Sequence, residues 1–408
     1  MRKVLLYIIY TFIFFCIVFG GTGAFRVGPF SLRHICSFFL FIVIVFRYKD
    51  IKTDKCVSLY ALYIVVYCLC NVINGEYVTP HFLQSLYTYH GPSLIIAFAI
   101  PIIVKEAEQV KLFLIAIISL FLFNALITIA QFYNVSWAWE LGQYISVFDQ
   151  ERISRIESIS ETSENYFGHS LTPGIIGFVV TNGYLLASLF PLLSFHMWTH
   201  PQNSVQNIMD IVLIIIGLTA VYCVQQRTAM ILVLLFLVFV FFTRRTTFPK
   251  LFIIIVLFLI LSIIGIPTIN LGRIENLSEG FETRAQLIHN FEMFFKSPLS
   301  LWGGYNKYMS LYGMPQHNTV LASWVLGGFF NMCFYLWLLI ILIAHLIRST
   351  KHGLRDYSAF EIVFSTSCLI FILYSMTHSD GIHAGSPMFW SSYALLSVIQ
   401  SKIVSYDD

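Results

Sequence analysis

Four side chains in this 408-residue sequence could do chemistry against an otherwise apolar background: arginines at 227, 273 and 284, and a histidine at 317. A guanidinium never loses its charge and grips phosphate oxygens two at a time. An imidazole titrates near neutral pH and takes a proton from a hydroxyl. Together, at a lipid surface, these groups suit a reaction in which a phosphate leaves and a hydroxyl attacks.

Each has its own setting. Arg227 sits in Gln225-Gln226-Arg227-Thr228, a polar break between two apolar runs. Alone it also reads as an interfacial arginine reaching for lipid phosphate. Arg284 precedes apolar residues at 287, 288, 291, 294 and 295, the stripe of an amphipathic helix. The stripe predicts Arg284 in the first turn, where a cation opposes the helix dipole, so an anionic ligand explains it better than packing does. Arg273 stands close in sequence to Glu275 and Glu279, which leaves a structural pairing open. His317 lies in Pro315-Gln316-His317-Asn318-Thr319, where a long apolar run begins, downstream of the turn Trp302-Gly303-Gly304-Tyr305. Histidines at membrane interfaces are commonly structural; the company of the arginines singles this one out.

Competing signals are weak. Asp149-Gln150-Glu151 has a D-x-E spacing but no His or further Asp cluster, so no metal is expected. His378-Ser379-Asp380 holds hydrolase residue types, yet such partners meet in space rather than in sequence. There is no P-loop and no G-x-G-x-x-G, and no cofactor is expected. The eight cysteines fall almost entirely in apolar runs and read as small buried residues. A net charge of +3 is too small to imply nucleic acid.

The elements that must position these groups are membrane helices. The chain is 58% hydrophobic, 17% aromatic and 11% charged, against about a quarter charged in a soluble domain. An all-α integral membrane protein of about twelve transmembrane helices is expected. The spans lie near 4–20, 31–46, 57–74, 89–104, 112–133, 172–198, 208–224, 228–243, 251–267, 317–347, 359–377 and 387–402. The fourth is interrupted by Pro92 and Pro101, and the one from 317 is long enough to begin outside the lipid. Residues 1–408 then form one polytopic membrane domain, and the start, Met1-Arg2-Lys3 followed by apolar residues, reads as an uncleaved anchor. With a cytoplasmic N-terminus, 15 of the 24 basic residues fall in short inner loops, so both termini are expected inside. The two long loops, 134–171 and 268–316, are then outside, where loops of that length tend to be functional. The second is rich in aromatic residues and is expected to form amphipathic helices on the bilayer surface. No internal repeat is evident, and the spans are nearly free of charge, which disfavours a transporter such as a lipid-linked oligosaccharide flippase.

Arg284, then Pro298-Leu299 and Trp302-Gly303-Gly304-Tyr305, then His317-Asn318-Thr319-Val320-Leu321 and Gly327-Gly328, resemble the C-terminal half of the O-antigen polymerase/ligase superfamily. The Gln226-Arg227-Thr228-Ala229 hairpin is similar to that family's Ser-Arg turn. The likeness covers residues 220–345 and is topological elsewhere; the order Trp-Gly-Gly departs from the family's Gly-x-Gly. The resemblance implies an inverting, metal-independent GT-C-type glycosyltransferase of the bacterial inner membrane, with a periplasmic active site. Its donor would be an oligosaccharide on undecaprenyl diphosphate. Arg227 and Arg284 would hold the diphosphate, His317 would serve the acceptor hydroxyl, and Arg273, Asn318, Gly303, Gly304 and Tyr305 would line the substrate site. Membrane lipid and a chain-length regulator protein are the partners it implies. The segment Gly168…Gly174-Ile175-Ile176-Gly177…Thr181-Asn182-Gly183-Tyr184 looks more like polymerases, with ligation to lipid A–core as the alternative.

Overall fold

The computed structural model describes residues 2–18, 26–27, 30–51, 54–145, 172–176, 179–199, 204–243, 277–313, 316, 318–377 and 385–403. The expected span 251–267 lies outside them, as do Asp149, Glu151, Arg273, His317 and the 378–380 tripeptide.

Every other expected span falls on a helix. These are α1 (Arg2–Val18), α2 (Leu32–Phe46), α3 (Lys55–Ile73), α4 (Pro80–Ile103), α5 (Ala107–Phe132), α7 (Val179–Trp198), α8 (Ser204–Val224), α9 (Arg227–Thr243), α13 (Thr319–Asp356), α14 (Ala359–Ser375) and α15 (Pro387–Ile403). Between them lie α6 (Ser136–Ile145), α10 (Leu277–Lys296), α11 (Leu299–Trp302) and α12 (Tyr305–Tyr312). Among the described residues the strands amount to one two-residue pair, Arg26–Val27 with Phe30–Ser31. Lipid offers backbone groups no partner, so apolar runs of this length satisfy them internally as helices. Among the described residues five helices, α3, α4, α5, α7 and α13, are long and apolar enough to cross a membrane. The chain is a helical membrane protein.

Three spans differ in detail from expectation. The fourth starts earlier: Thr79 caps it through Phe82 N, Pro80 occupies the first turn, and a π-turn over Ser85–His90 joins it to Gly91–Ile103. Pro92 directly follows the π-turn, in which Gly91 N donates to the Leu86 carbonyl, and the helix continues through it to Ile103. The sixth begins at Val179, leaving Thr172–Ile176 as buried non-helical chain. The long helix α13 bends at Gly328 (φ 76°, ψ −172°), which separates a first segment from the spanning part.

The core is aromatic where α3, α4, α13 and α15 meet. Tyr60, Tyr63 and Tyr67 project from one face of α3, with Tyr335, Trp390 and Tyr393 also buried. Tyr60 stacks on Trp390 at 4.2 Å, and its hydroxyl shares a 2.9 Å hydrogen bond with His90 Nδ1. Asp54 caps α3 through the Cys56 and Val57 amides and also accepts from the Tyr393 hydroxyl at 2.9 Å. Two buried carboxylates among the described residues pair with histidines: Asp210 with His196 (2.8 Å) and Glu361 with His352 (2.7 Å). Asp210 sits near the start of α8, about 20 Å along the helix from the Arg227 hairpin at its other end.

Candidate functional site

Arg227 opens α9 directly after the turn Gln225-Gln226, in which Gln225 takes a left-handed conformation (φ 57°). Its side chain is exposed, and its charge opposes the helix dipole there. The next residue, Thr228, accepts a hydrogen bond from Thr377 Oγ1 (3.3 Å), just past the end of α14. One residue back, the Met376 carbonyl accepts from Asn318 Nδ2 at 2.8 Å. Asn318 is also the N-cap of α13: its Oδ1 accepts from the amides of Val320 (2.9 Å) and Leu321 (3.2 Å). The side chain expected to touch substrate is thus engaged in joining α13 to α14.

His317 lies outside the described residues, but its neighbours are held on both sides. On one side is Asn318. On the other, Gln316 is buried and donates through Nε2 to the Tyr308 hydroxyl of α12, and at 3.5 Å to the Leu287 carbonyl of α10. Burial pushes the Tyr308 hydroxyl above its ordinary range, with the Gln316 bond opposing, so it stays a neutral phenol.

Arg284 belongs to α10, whose side chains are described from Ala285 onward. The helix begins at Leu277, nearly three turns before the apolar stripe, so Arg284 is not in the first turn as the periodicity predicted. Glu279 and Glu282 favour that earlier start, because acidic residues complement an N-terminal dipole. The stripe is also narrower than expected. Phe294 is fully buried against Tyr308 (5.4 Å) and near Trp324, whereas Ile288 and Phe295 face outward, 71% and 58% exposed. Asn290 Nδ2 donates to the Tyr312 carbonyl (3.1 Å), fastening α10 to α12.

Gly303 and Gly304 are buried at the turn between α11 and α12, both with positive φ (76° and 133°). They lie against the bend of α13: Gly304 N donates to the Val325 carbonyl at 2.8 Å. A Cβ on Gly303 would stand 2.3 Å from Gly328 N. The turn therefore serves a backbone-to-backbone contact, which accounts for the Trp-Gly-Gly order. Tyr305 stacks face to face on His81 (3.7 Å, 10°) and is half-buried.

The sequence reading missed a buried network that supports the hairpin. Asn124 Nδ2 donates to Asn182 Oδ1 (2.8 Å), and Asn182 Nδ2 donates to Thr128 Oγ1 and the Thr172 carbonyl (3.1 Å each). Gln131 and Asn124 accept from the amides of Gly174 and Ile175. Thr172 Oγ1 then donates to the Cys223 carbonyl (2.9 Å), next to the Arg227 turn. The polar residues at 124, 128 and 131 share one face of an apolar helix, a spacing that signals such a network in advance. Asn182→Ala strands several of these groups and is expected to cost about 1–3 kcal/mol, read as a lower unfolding temperature in detergent.

No family model matches this chain, and no characterised protein matches it in sequence. Three segments meet at one end of the bundle: the Arg227 turn, the chain on both sides of His317, and the helix that bears Arg284.

Proposed function

We propose that the chain is an O-antigen polymerase, an inverting glycosyltransferase of GT-C type with about twelve spans in the bacterial inner membrane. It joins undecaprenyl-diphosphate-linked oligosaccharide repeat units on the periplasmic face. The acceptor sugar hydroxyl attacks the anomeric carbon of the donor, and undecaprenyl diphosphate leaves from the opposite side. His317 takes the hydroxyl proton; Arg227 and Arg284 neutralise charge gathering on the departing diphosphate.

The observation that carries this reading is the set of bonds gathering these segments. Gln316 reaches the α10 backbone at Leu287, Asn318 reaches Met376, and Thr377 reaches Thr228 beside Arg227. A hydroxyl-activating imidazole and two phosphate-gripping guanidiniums on such neighbouring pieces of backbone suit transfer from a lipid diphosphate. The charge-poor spans disfavour a transport path.

The test is purified protein in detergent with undecaprenyl-diphosphate-linked repeat units as the sole substrate, read on a glycan gel. A product ladder is the expected result. Transfer that appears only on adding lipid A–core would make the chain a ligase, and silence with both acceptors would favour a flippase. In the same assay Arg227→Ala and Arg284→Lys are each expected to lower the transfer rate by roughly 10²-fold, since a point charge does not replace a bidentate fork.

A further inference from the structure

The outer turn between α3 and α4 carries a carboxylate that the reaction scheme does not use. Glu76 is 4% exposed, and burying a carboxylate is costly unless its oxygens are satisfied. Its Oε2 accepts from the amide of Asn306 and its Oε1 from the amide of Lys307, each at 3.1 Å. These are N–H groups of the first turn of α12, which have no partner within the helix and favour a negative charge. Three further contacts join the same two segments. Asn74 Nδ2 donates to the Trp302 carbonyl (3.2 Å), Lys307 Nζ donates to the Asn74 carbonyl (2.7 Å), and His81 stacks on Tyr305. Residues 74–81 thus form a mount on which the Gly303–Tyr312 segment is seated. What that segment holds in turn is Gln316, through Tyr308, and Gln316 is the residue before His317.

We propose that Glu76 is a positioning residue for the transfer reaction, its two-pronged grip on the start of α12 fixing, through Tyr308 and Gln316, the backbone that presents His317. This rests on the function proposed above. Glu76 touches no reacting atom. It sets where α12 sits, and a displacement of about 1 Å at a reacting group already slows a reaction by orders of magnitude.

Glu76→Gln keeps the shape and replaces one acceptor oxygen with an N–H₂ that cannot accept, so one of the two bonds is lost. The full-length protein in lipid nanodiscs would be compared with wild type by amide hydrogen exchange over residues 305–313. Its single-turnover rate constant with lipid-linked repeat units would be measured alongside. That constant does not depend on how much of the enzyme is folded. Exchange protection at Asn306 and Lys307 is expected to fall about tenfold or more. The rate constant is expected to fall about tenfold, with the KM for repeat units within roughly threefold of wild type. Glu76→Asp keeps two acceptor oxygens and should recover part of both losses. Glu292→Gln, on the exposed face of α10, should change neither. Unchanged exchange in Glu76→Gln overturns the grip on α12. Raised exchange with an unchanged rate constant overturns the positioning role while leaving the transferase reading intact. A wild type inert toward repeat units removes that reading and the positioning role with it, and the exchange arm then still decides whether Glu76 holds α12.

Discussion

Replacing His317 with alanine is expected to lower glycan transfer by about 10²–10⁴-fold, the usual contribution of a positioned general base. The chain around it should survive the change. Gln316 remains bonded to Tyr308, and Asn318 still caps α13 and binds the Met376 carbonyl. Neither anchor uses the histidine side chain. Protein level, membrane insertion and unfolding temperature are therefore expected to match wild type, while the product ladder collapses to unextended repeat units. A variant that makes chains of ordinary length in cells would remove His317 from the site. Normal activity with lowered stability would make it one of the structural interface histidines.

A second large effect is expected at Gly328, for reasons of space rather than chemistry. Its backbone (φ 76°, ψ −172°) lies in a region that is essentially closed to residues with a side chain. A Cβ there would stand 2.2 Å from the Leu301 carbonyl oxygen and 2.4 Å from the Trp302 carbonyl carbon. Those are backbone atoms of the opposing turn, so no flexible side chain can yield. Gly328→Ala is expected to cost roughly 3–6 kcal/mol, adding backbone strain to overpacking. Domain stabilities are about 5–15 kcal/mol in total, so the visible result should be loss of folded protein. Yield and monodispersity in detergent check it. A Gly328→Ala protein that purifies and unfolds like wild type would mean that α11 and α13 do not meet backbone to backbone.

The helices were legible because lipid imposes one rule on every span: an apolar run must satisfy its own backbone. The spans near 57–74 and 112–133 needed no tertiary information. Neither did the helical character of the second long loop, where α10, α11 and α12 lie. The start of α10 was less legible. The apolar periodicity begins at Leu287, whereas the helix starts earlier, at Leu277. The outward positions of Ile288 and Phe295 were hidden for a similar reason, since an apolar residue near lipid has no need to face the protein core.

The candidate site divides in the same way. Its candidate residues, the arginines at 227 and 284 and the histidine at 317, were picked out by residue type and by their settings beside apolar runs. Their supports were not. Glu76 contacts residues 230 and 231 positions further along the chain, and Asn124 meets Asn182 across 58. Residue type, hydropathy and spacing are local properties, so the sequence by itself determined the solvent, the helices and the available chemistry. Which glycines meet, which carboxylate seats α12 and which turn adjoins α13 are contacts between distant segments. The tertiary structure decided these, because they arise only when helices pack and close backbone approaches select residues that fit.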